Sequence, residues 1–249
     1  MEEELRAAAG IQQALLPQEP PPVPGLDFAW RFLPCEQVGG DLFQVHRLDD
    51  RHVGLYVIDV TGHGIPAAML TAALAESLSP DGHVLRRPDG TVRSPAEVLR
   101  ALDREYPIER FERCFSIAYL LLDVETGLLR YSRAGHPMPV CVRRDGGTHA
   151  LAEGGTLIGL GDMLPIDEGS IQLRPGDRMF VYTDGLVEAQ DREGEIYGDD
   201  RVQQALAKAR DLPLDGTCDA LLSAVRRFSA GRELRDDAAL VALEMSEAA

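Results

Sequence analysis

The chain has 249 residues, of which 45% are hydrophobic, so it is long enough to bury one sizeable core. Its 41 acidic residues outnumber its 25 lysines and arginines, and the formal net charge is -16. This charge argues against a nucleic acid or an anionic membrane as the partner, and it favours a cation or a basic protein surface.

The cysteines and the apolar runs indicate the compartment. The four cysteines are far apart and show no CxxC spacing, which predicts reduced thiols in the cytoplasm. No apolar run approaches the roughly 18 residues of a membrane span, and the acidic start MEEELRAAAG does not resemble a signal peptide. We therefore expect a soluble cytoplasmic domain without membrane contact.

The first predicted element is a helix over residues 1–16, followed by a proline-rich connector over residues 17–24. Apolar residues at helical spacing and a terminating proline define the helix: Leu5, Ala8, Ile11, Leu15 and Pro17. A helix this short is marginal alone, so its apolar stripe is expected to pack on a second copy, an upstream domain or the main domain, 25–249. We predict self-association, because the connector leaves the stripe no obvious place on the main domain.

Short apolar runs downstream predict strands, and turn signals between them favour antiparallel pairing. The predicted strands cover residues 28–33, 53–58, 115–122, 128–131, 138–142, 178–182 and 239–243. Helical patterns cover residues 65–78, 95–106, 200–207 and 217–228, and residues 80–93 are expected to form an exposed loop. The sequence therefore predicts an α+β domain whose helices cover antiparallel sheets.

The aspartates stand at the ends of these predicted strands. Two follow a strand, two precede one, and a fifth follows a pair of glycines; in that order they are Asp59, Asp184, Asp236, Asp237 and Asp41. A carboxylate at the end of a buried element is costly unless its charge is neutralised, and a divalent cation is the usual remedy. Each aspartate alone would suit a simple turn, so the prediction of a site depends on all five together.

The ligand types select the metal. Carboxylates and carbonyls suit Mg²⁺ or Mn²⁺, and no Cys or His spacing suggests zinc. Two such ions about 3.5 to 4 Å apart would acidify a bridging water for attack on a phosphoryl group. This chemistry needs no protein nucleophile, and the sequence contains no convincing Cys-His or Ser-His-Asp arrangement.

Glycines and histidines accompany the acids. Gly40 and Gly185 adjoin Asp41 and Asp184, where a missing side chain would let the backbone approach a metal or a phosphate. His63 admits two roles, a general acid that protonates the serine leaving group or a structural contact in its loop. We expect His136 to be structural and to hold the turn Gly135-His136-Pro137.

Five segments, in their order along the chain, resemble the PPM-type (PP2C-like) metal-dependent serine/threonine phosphatases, specifically the bacterial SpoIIE-like branch that regulates sigma factors. The segments are residues 38–41 (VGGD), 59–68 (DVTGHGIPAA), 134–137 (AGHP), 183–188 (TDGLVE) and 236–240 (DDAAL). Any one of them is weak evidence. Their joint order is specific, and together they span nearly everything after Pro24.

The resemblance implies an αββα sandwich of two antiparallel β-sheets flanked by helices, with an N-terminal linker helix and two Mn²⁺ or Mg²⁺ ions. It implies that Asp59 bridges both ions and that the carbonyl of Val60 binds one of them. Asp184 and Asp236 would complete the other ion, and Asp41 would lie in the shell of the Val60-bound ion. Asp237 is a further candidate, although family members often carry a different polar residue there.

The resemblance also implies partners. The substrate would be a phosphorylated anti-sigma-factor antagonist, and an upstream sensor or receiver domain would act through residues 11–17 (IQQALLP). Two departures stand out: Cys114-Phe115-Ser116 replaces a segment where many relatives carry threonine, and the phosphate-binding arginine of eukaryotic relatives has no evident equivalent. Two alternatives stay open, an inactive binding module that sequesters a partner and a metallohydrolase acting on a small phosphate ester.

Overall fold

The computed structural model describes residues 2–35, 38–62, 64–161 and 165–246, and the chain divides into two compact units. The first unit comprises Met1–Pro21, Glu36–His136 and Ala152–Leu173. The second unit comprises Pro22–Cys35, Pro137–Leu151 and Arg174–Ala249. The expected division into an N-terminal segment, 1–24, and a main domain remains a prediction.

The described elements are short helices and strands that follow one another in runs, and none of these helices is both long and apolar enough to cross a membrane. In chain order they are α1 (Glu2–Leu15), β1 (Leu26–Leu33), β2 (Asp41–Arg47), β3 (His52–Val60), α2 (Ile65–Ser77), α3 (Pro95–Glu105), α4 (Ile108–Phe111), β4 (Phe115–Asp123), β5 (Leu128–Ala134), β6 (Val140–Val142), β7 (Thr148–Ala150), β8 (Gly154–Gly155), β9 (Gly169–Gln172), β10 (Arg178–Tyr182), α5 (Asp184–Val187), α6 (Gly198–Lys208), α7 (Leu214–Phe228) and β11 (Ala238–Met245).

The first unit is built on a sheet in the order β2-β3-β4-β5-β8, with β9 also paired to β5. The central strands β3 and β4 are apolar along nearly their whole length because helices cover them, with Tyr56, Phe115 and Tyr119 fully buried. Helix α2 packs on β2 and β3, helix α3 packs on β4 and β5, and helix α1 packs on α2.

The second unit is built on a sheet in the order β1-β11-β10-β6-β7. Every residue of β10 is buried, as are the first six residues of β11, which pairs antiparallel with both β10 and β1. Helix α7 packs on β1 and β11, and α6 packs on α7 and β6. The apolar residues of these elements form one core cluster.

The predicted α+β class with antiparallel sheets is confirmed. All seven predicted strands and all four predicted helices downstream of the connector are present, with ends shifted by a few residues. Helix α3 begins as its sequence predicts, with Ser94 and Glu97 forming a capping box ahead of the first turn and Pro95 where no amide is needed.

Six elements of the structure are not predicted from the sequence. Four of them, β7, β8, α4 and α5, are at most four residues long, and β9 is a four-residue strand on β5. Strand β2 is the important omission, because it begins at Asp41 and pairs along its whole length with β3. Its only preceding signal is a pair of glycines, which on its own indicates a turn.

Candidate metal centre

In the first unit, Asp41 and Asp59 are direct partners in the antiparallel register of β2 and β3. Side chains in such a pair lie on the same face of the sheet, with Cβ atoms about 4.5 to 5.5 Å apart. Asp41 is 2% exposed and Asp59 is partly buried. Two carboxylates opposed in a buried place repel each other, so this pair suits a bound cation.

The backbone beside this pair is unusually close-packed. Val60 donates its amide to the carbonyl of Gly40, with an N···O distance of 3.2 Å. A Cβ atom on Gly40 would lie 2.3 Å from the carbonyl oxygen of Val60. Only glycine permits this approach, so Gly40 sets how closely the Val60 carbonyl lies to the Asp41 segment.

Helix α1 reaches the same segment through Gln12, a contact that no pattern in the sequence predicts. The Gln12 side chain is 5% exposed. Its Nε2 donates to the carbonyl of Gly39 at 2.9 Å, and its Oε1 accepts from the Gly39 amide at 3.1 Å. The Gln12 Nε2 atom also lies 3.5 Å from the Asp41 carbonyl oxygen. The amide therefore ties α1 to the backbone that leads into Asp41.

Helix α1 is thus docked on the chain's own first unit, one of the three alternatives that the sequence leaves open. Leu16 is buried at its end, and the Gln44 side chain donates to the carbonyl of Leu15. The expectation that α1 has no place on the body of the chain is therefore wrong. Ile11 nevertheless remains 64% exposed, and self-association stays a prediction.

In the second unit, Asp184 and Asp236 lie at the same end of adjacent strands. Asp184 lies two residues after the end of β10, and Asp236 lies two residues before its antiparallel partner β11. The pKa of Asp184 is raised to about 6, chiefly by burial and then by the negative charges of Asp236 and Glu188. Carboxylates gathered in this way hold their charge at a cost, and a bound cation would remove that cost.

A second glycine packs against the backbone here. A Cβ atom on Gly185 would lie 2.0 Å from the Asp237 carbonyl oxygen and 3.2 Å from that of Asp236. Thr183 fixes the same junction, because its hydroxyl accepts a hydrogen bond from the Ala239 amide at 2.9 Å. Each unit therefore carries a glycine that allows close backbone contact beside its aspartates.

Asp237 and Asp236 differ in exposure and in their hydrogen bonds. Asp237 is 4% exposed, and its Oδ1 accepts a hydrogen bond from the Cys35 amide at 2.8 Å. Asp236 is exposed, and its Oδ1 accepts from the Asp237 amide at 2.8 Å. Asp237 thus has a structural contact that the sequence does not reveal, while its role as a metal ligand stays a prediction.

Of the two candidate histidines, His136 lies within the described residues and His63 does not. His136 is 1% exposed, and its Nδ1 lies 2.6 Å from the hydroxyl of Ser116, which is the strand partner of Asp59. This contact agrees with the structural role predicted for His136. His63, the candidate general acid, lies outside the described residues.

The first unit therefore brings together Asp41 and Asp59, and the second unit brings together Asp184 and Asp236 with Asp237 beside them. Within residues 2–35, 38–62, 64–161 and 165–246, no group of three or more His, Cys, Asp or Glu side chains is placed to hold a metal ion. A centre formed by all five aspartates and the Val60 carbonyl remains a prediction.

Solved structures share the fold. The SiaA-PP2C domain of Pseudomonas aeruginosa aligns with a TM-score of 0.81 and 22% identity, over 98% of this chain and 96% of that one. The catalytic domain of the serine/threonine protein phosphatase PstP, in complex with 2 manganese ions, aligns with a TM-score of 0.55 and 16% identity, over 89% of this chain and 99% of that one. The predicted αββα fold class of the PP2C-type phosphatases is confirmed.

The sequence comparison is more specific. Residues 49–246 match the family model of stage II sporulation protein E (SpoIIE), and the chain therefore belongs to the SpoIIE family. Phosphoserine phosphatase RsbP of Bacillus subtilis (strain 168) is 31% identical over 159 residues. That match covers 61% of this chain but only 37% of RsbP, so the chain spans well under half the length of this relative.

Replacing either close-packed glycine by alanine should damage the centre. Gly40→Ala and Gly185→Ala force a Cβ atom against a carbonyl oxygen, and each should cost about 1 to 3 kcal/mol of stability and weaken Mn²⁺ binding. Thermal unfolding and calorimetric Mn²⁺ titration would measure both effects.

Gly10→Ala is the matched control, because nothing lies within 4 Å of a Cβ atom at that position in α1. Alanine there should be neutral or stabilising by up to about 1 kcal/mol. If Gly40→Ala and Gly185→Ala changed stability and Mn²⁺ binding no more than Gly10→Ala does, close backbone packing beside the aspartates would contribute to neither property.

Removing the Gln12 amide should loosen α1. Gln12→Ala leaves both backbone groups of Gly39 without their partner, at a cost of about 1 to 3 kcal/mol. Chemical denaturation would measure the stability, and limited proteolysis within residues 17–24 would report release of the helix. The neighbouring exposed residue offers the control Gln13→Ala, and equal stability of the two variants would contradict the role of Gln12.

Proposed function

We propose that this chain is a metal-dependent protein serine/threonine phosphatase with two Mn²⁺ or Mg²⁺ ions. The observation that carries the proposal is the opposed pair of Asp41 and Asp59, two acids held on one face of β2 and β3. Membership of the SpoIIE family and the PP2C fold support it. The raised pKa of Asp184 beside Asp236 supports a second set of ligands.

In this proposal, Asp59 and the Val60 carbonyl would hold one ion with Asp41 beside it. Asp184 and Asp236 would hold the other ion together with Asp59. The bound ions would supply a water of lowered pKa and positive charge against the phosphoryl oxygens. PstP, whose structure contains 2 manganese ions, supports the choice of metal.

The chain's own groups would do the remaining work. The antiparallel register of β2 and β3 places Asp41 and Asp59 opposite each other, so the fold itself would position both carboxylates beside an ion. Asp237 anchors the backbone at Cys35, which steadies the approach to Asp236, and it remains a candidate ligand. His63 would give a proton to the departing serine oxygen.

We propose a phosphorylated protein of the anti-sigma-factor-antagonist type as the substrate, the class that the sequence resemblance implies. The similarity to the phosphoserine phosphatase RsbP supports phosphoserine as the group that is hydrolysed. An upstream sensor or receiver domain would act through α1, which is tied to the Asp41 segment by Gln12. A cytoplasmic location is supported by the cysteines, none of which forms a disulfide, and by the burial of Cys141 and Cys218. The net charge of -16 supports the absence of nucleic-acid and membrane partners.

Removing a proposed ligand should abolish hydrolysis and leave the fold intact. Asp59→Ala and Asp184→Ala should each lower Mn²⁺-dependent release of phosphate from a phosphoserine peptide by about two orders of magnitude or more. Asp81→Ala, at an exposed position, is the charge-matched control. Circular dichroism would check the fold, and full activity of either ligand variant would rule out the proposed centre.

The same assay separates the alternatives. An inactive binding module would give no metal-dependent hydrolysis of either the phosphopeptide or an aryl phosphate by the unaltered chain. A small-ester hydrolase would turn over a nucleotide faster than the phosphopeptide.

A homodimer through the N-terminal helix is the remaining proposal. The packed helices α1 and α2 expose large apolar side chains, with Ile11 64%, Ile65 45% and Met69 70% exposed. Light scattering of the unaltered chain should show a dimer mass that Ile11→Glu reduces to a monomer. Leu212→Glu, at a 45% exposed position in the second unit, should not change the mass. A monomer mass at every concentration would end this proposal.

A further inference from the structure

Arg113 lies directly against the segment that follows the proposed metal ligands. The pairing of β3 and β4 places Asp59 opposite Ser116 and Val60 opposite Phe115. It continues one step further, because the Thr61 amide and hydroxyl both donate to the Cys114 carbonyl, at 3.1 and 2.8 Å. Residue 113 therefore meets the turn that begins at Thr61.

The guanidinium covers this turn. Arg113 Nη1 donates to the Thr61 carbonyl at 2.5 Å. Gly62 has a φ of +86°, and a Cβ atom there would lie 2.5 Å from Arg113 Nη1. The glycine thus provides both the turn and the space in which the guanidinium lies.

Within the described part of the chain, most of the hydrogen-bonding capacity of Arg113 is unused. A guanidinium has five N–H donors, and among the described residues only the Thr61 carbonyl accepts from this one. No carboxylate of the described chain forms an ion pair with it, although the protein carries a net charge of -16. The side chain is partly exposed, so its remaining donors are accessible to a ligand.

These features of Arg113 are those of a residue that binds an anionic ligand. A guanidinium binds phosphate oxygens through paired N–H donors, and it keeps its charge at any physiological pH. The turn against which Arg113 lies begins directly after Val60, and Asp59 precedes it, so a phosphoryl group held at these residues would lie beside the Arg113 guanidinium. The aspartates alone would repel the same group.

We propose that Arg113 binds the phosphoryl oxygens of the substrate next to Asp59 and Val60. The inference rests on the proposed phosphatase function and adds a substrate-binding residue to it. Arg113 takes no part in proton transfer and holds no metal. Its task is to orient the phosphoryl group and to offset its charge.

A purely structural role is the competing explanation, because the bond to Thr61 could simply brace the turn. The two roles differ in what a variant changes. A brace would affect stability and Mn²⁺ affinity, whereas a phosphate contact would affect the binding of phosphate to the Mn²⁺-loaded protein.

The test compares Arg113→Ala, Arg113→Lys and Arg110→Ala in the full chain. Arg110 is an exposed neighbour that stacks on Phe111, 5.2 Å from the ring centroid, and its loss matches the change in net charge. Calorimetric titration with inorganic phosphate after Mn²⁺ loading would measure binding, and KM and kcat on a phosphoserine peptide would be measured in parallel.

Arg113→Ala should weaken phosphate binding and raise KM by about tenfold to a hundredfold, the usual effect of losing a charge-assisted hydrogen bond. Mn²⁺ affinity and the thermal midpoint should stay close to those of the unaltered chain. Arg113→Lys should recover part of the loss because the charge remains, and Arg110→Ala should bind phosphate normally.

Phosphate binding and KM unchanged in Arg113→Ala, or reduced equally in Arg110→Ala, would overturn the proposal. Loss of Mn²⁺ affinity and stability in proportion to the loss of phosphate binding would establish the brace instead. If the unaltered chain hydrolysed nothing, the phosphatase proposal would fail, while phosphate titration of the Mn²⁺-loaded chain would still decide the role of Arg113.

Discussion

The proposed site in the first unit depends on two acidic residues that neighbouring strands hold opposite each other. Asp41 and Asp59 occupy one register position of β2 and β3, where burial and mutual repulsion both disfavour two negative charges. Burial of the apolar residues of these strands holds the acids there. A divalent cation bound by Asp41 and Asp59, as proposed, would remove this energetic cost.

The surrounding contacts all fix the backbone near the acids. Gly40 and Gly185 allow one chain segment to approach another where any side chain would intrude. Gln12 satisfies both backbone groups of Gly39 from a helix that is distant in sequence. Such contacts position carboxylates more firmly than side-chain packing alone, because they act on the backbone from which those side chains project.

The sequence predicts the apolar strands well, because β3, β4, β10 and β11 are long buried runs with clear turn signals. It also places Asp59, Asp184 and Asp236 correctly at strand ends. It fails at β2, whose start is hidden behind two glycines, so the pairing of Asp41 with Asp59 is not foreseeable. Gln12 and Arg113 act through hydrogen bonds to distant backbone, and a single polar residue carries no pattern that would reveal such a contact.

The most direct test is a crystal of the full chain grown with Mn²⁺ and measured at an X-ray wavelength that reveals manganese by anomalous scattering. The account predicts two manganese peaks about 3.5 to 4 Å apart, with the Asp59 carboxylate in contact with both ions and the Val60 carbonyl with one. Manganese bound elsewhere, with Asp59 and Asp184 facing separate surfaces, would contradict it.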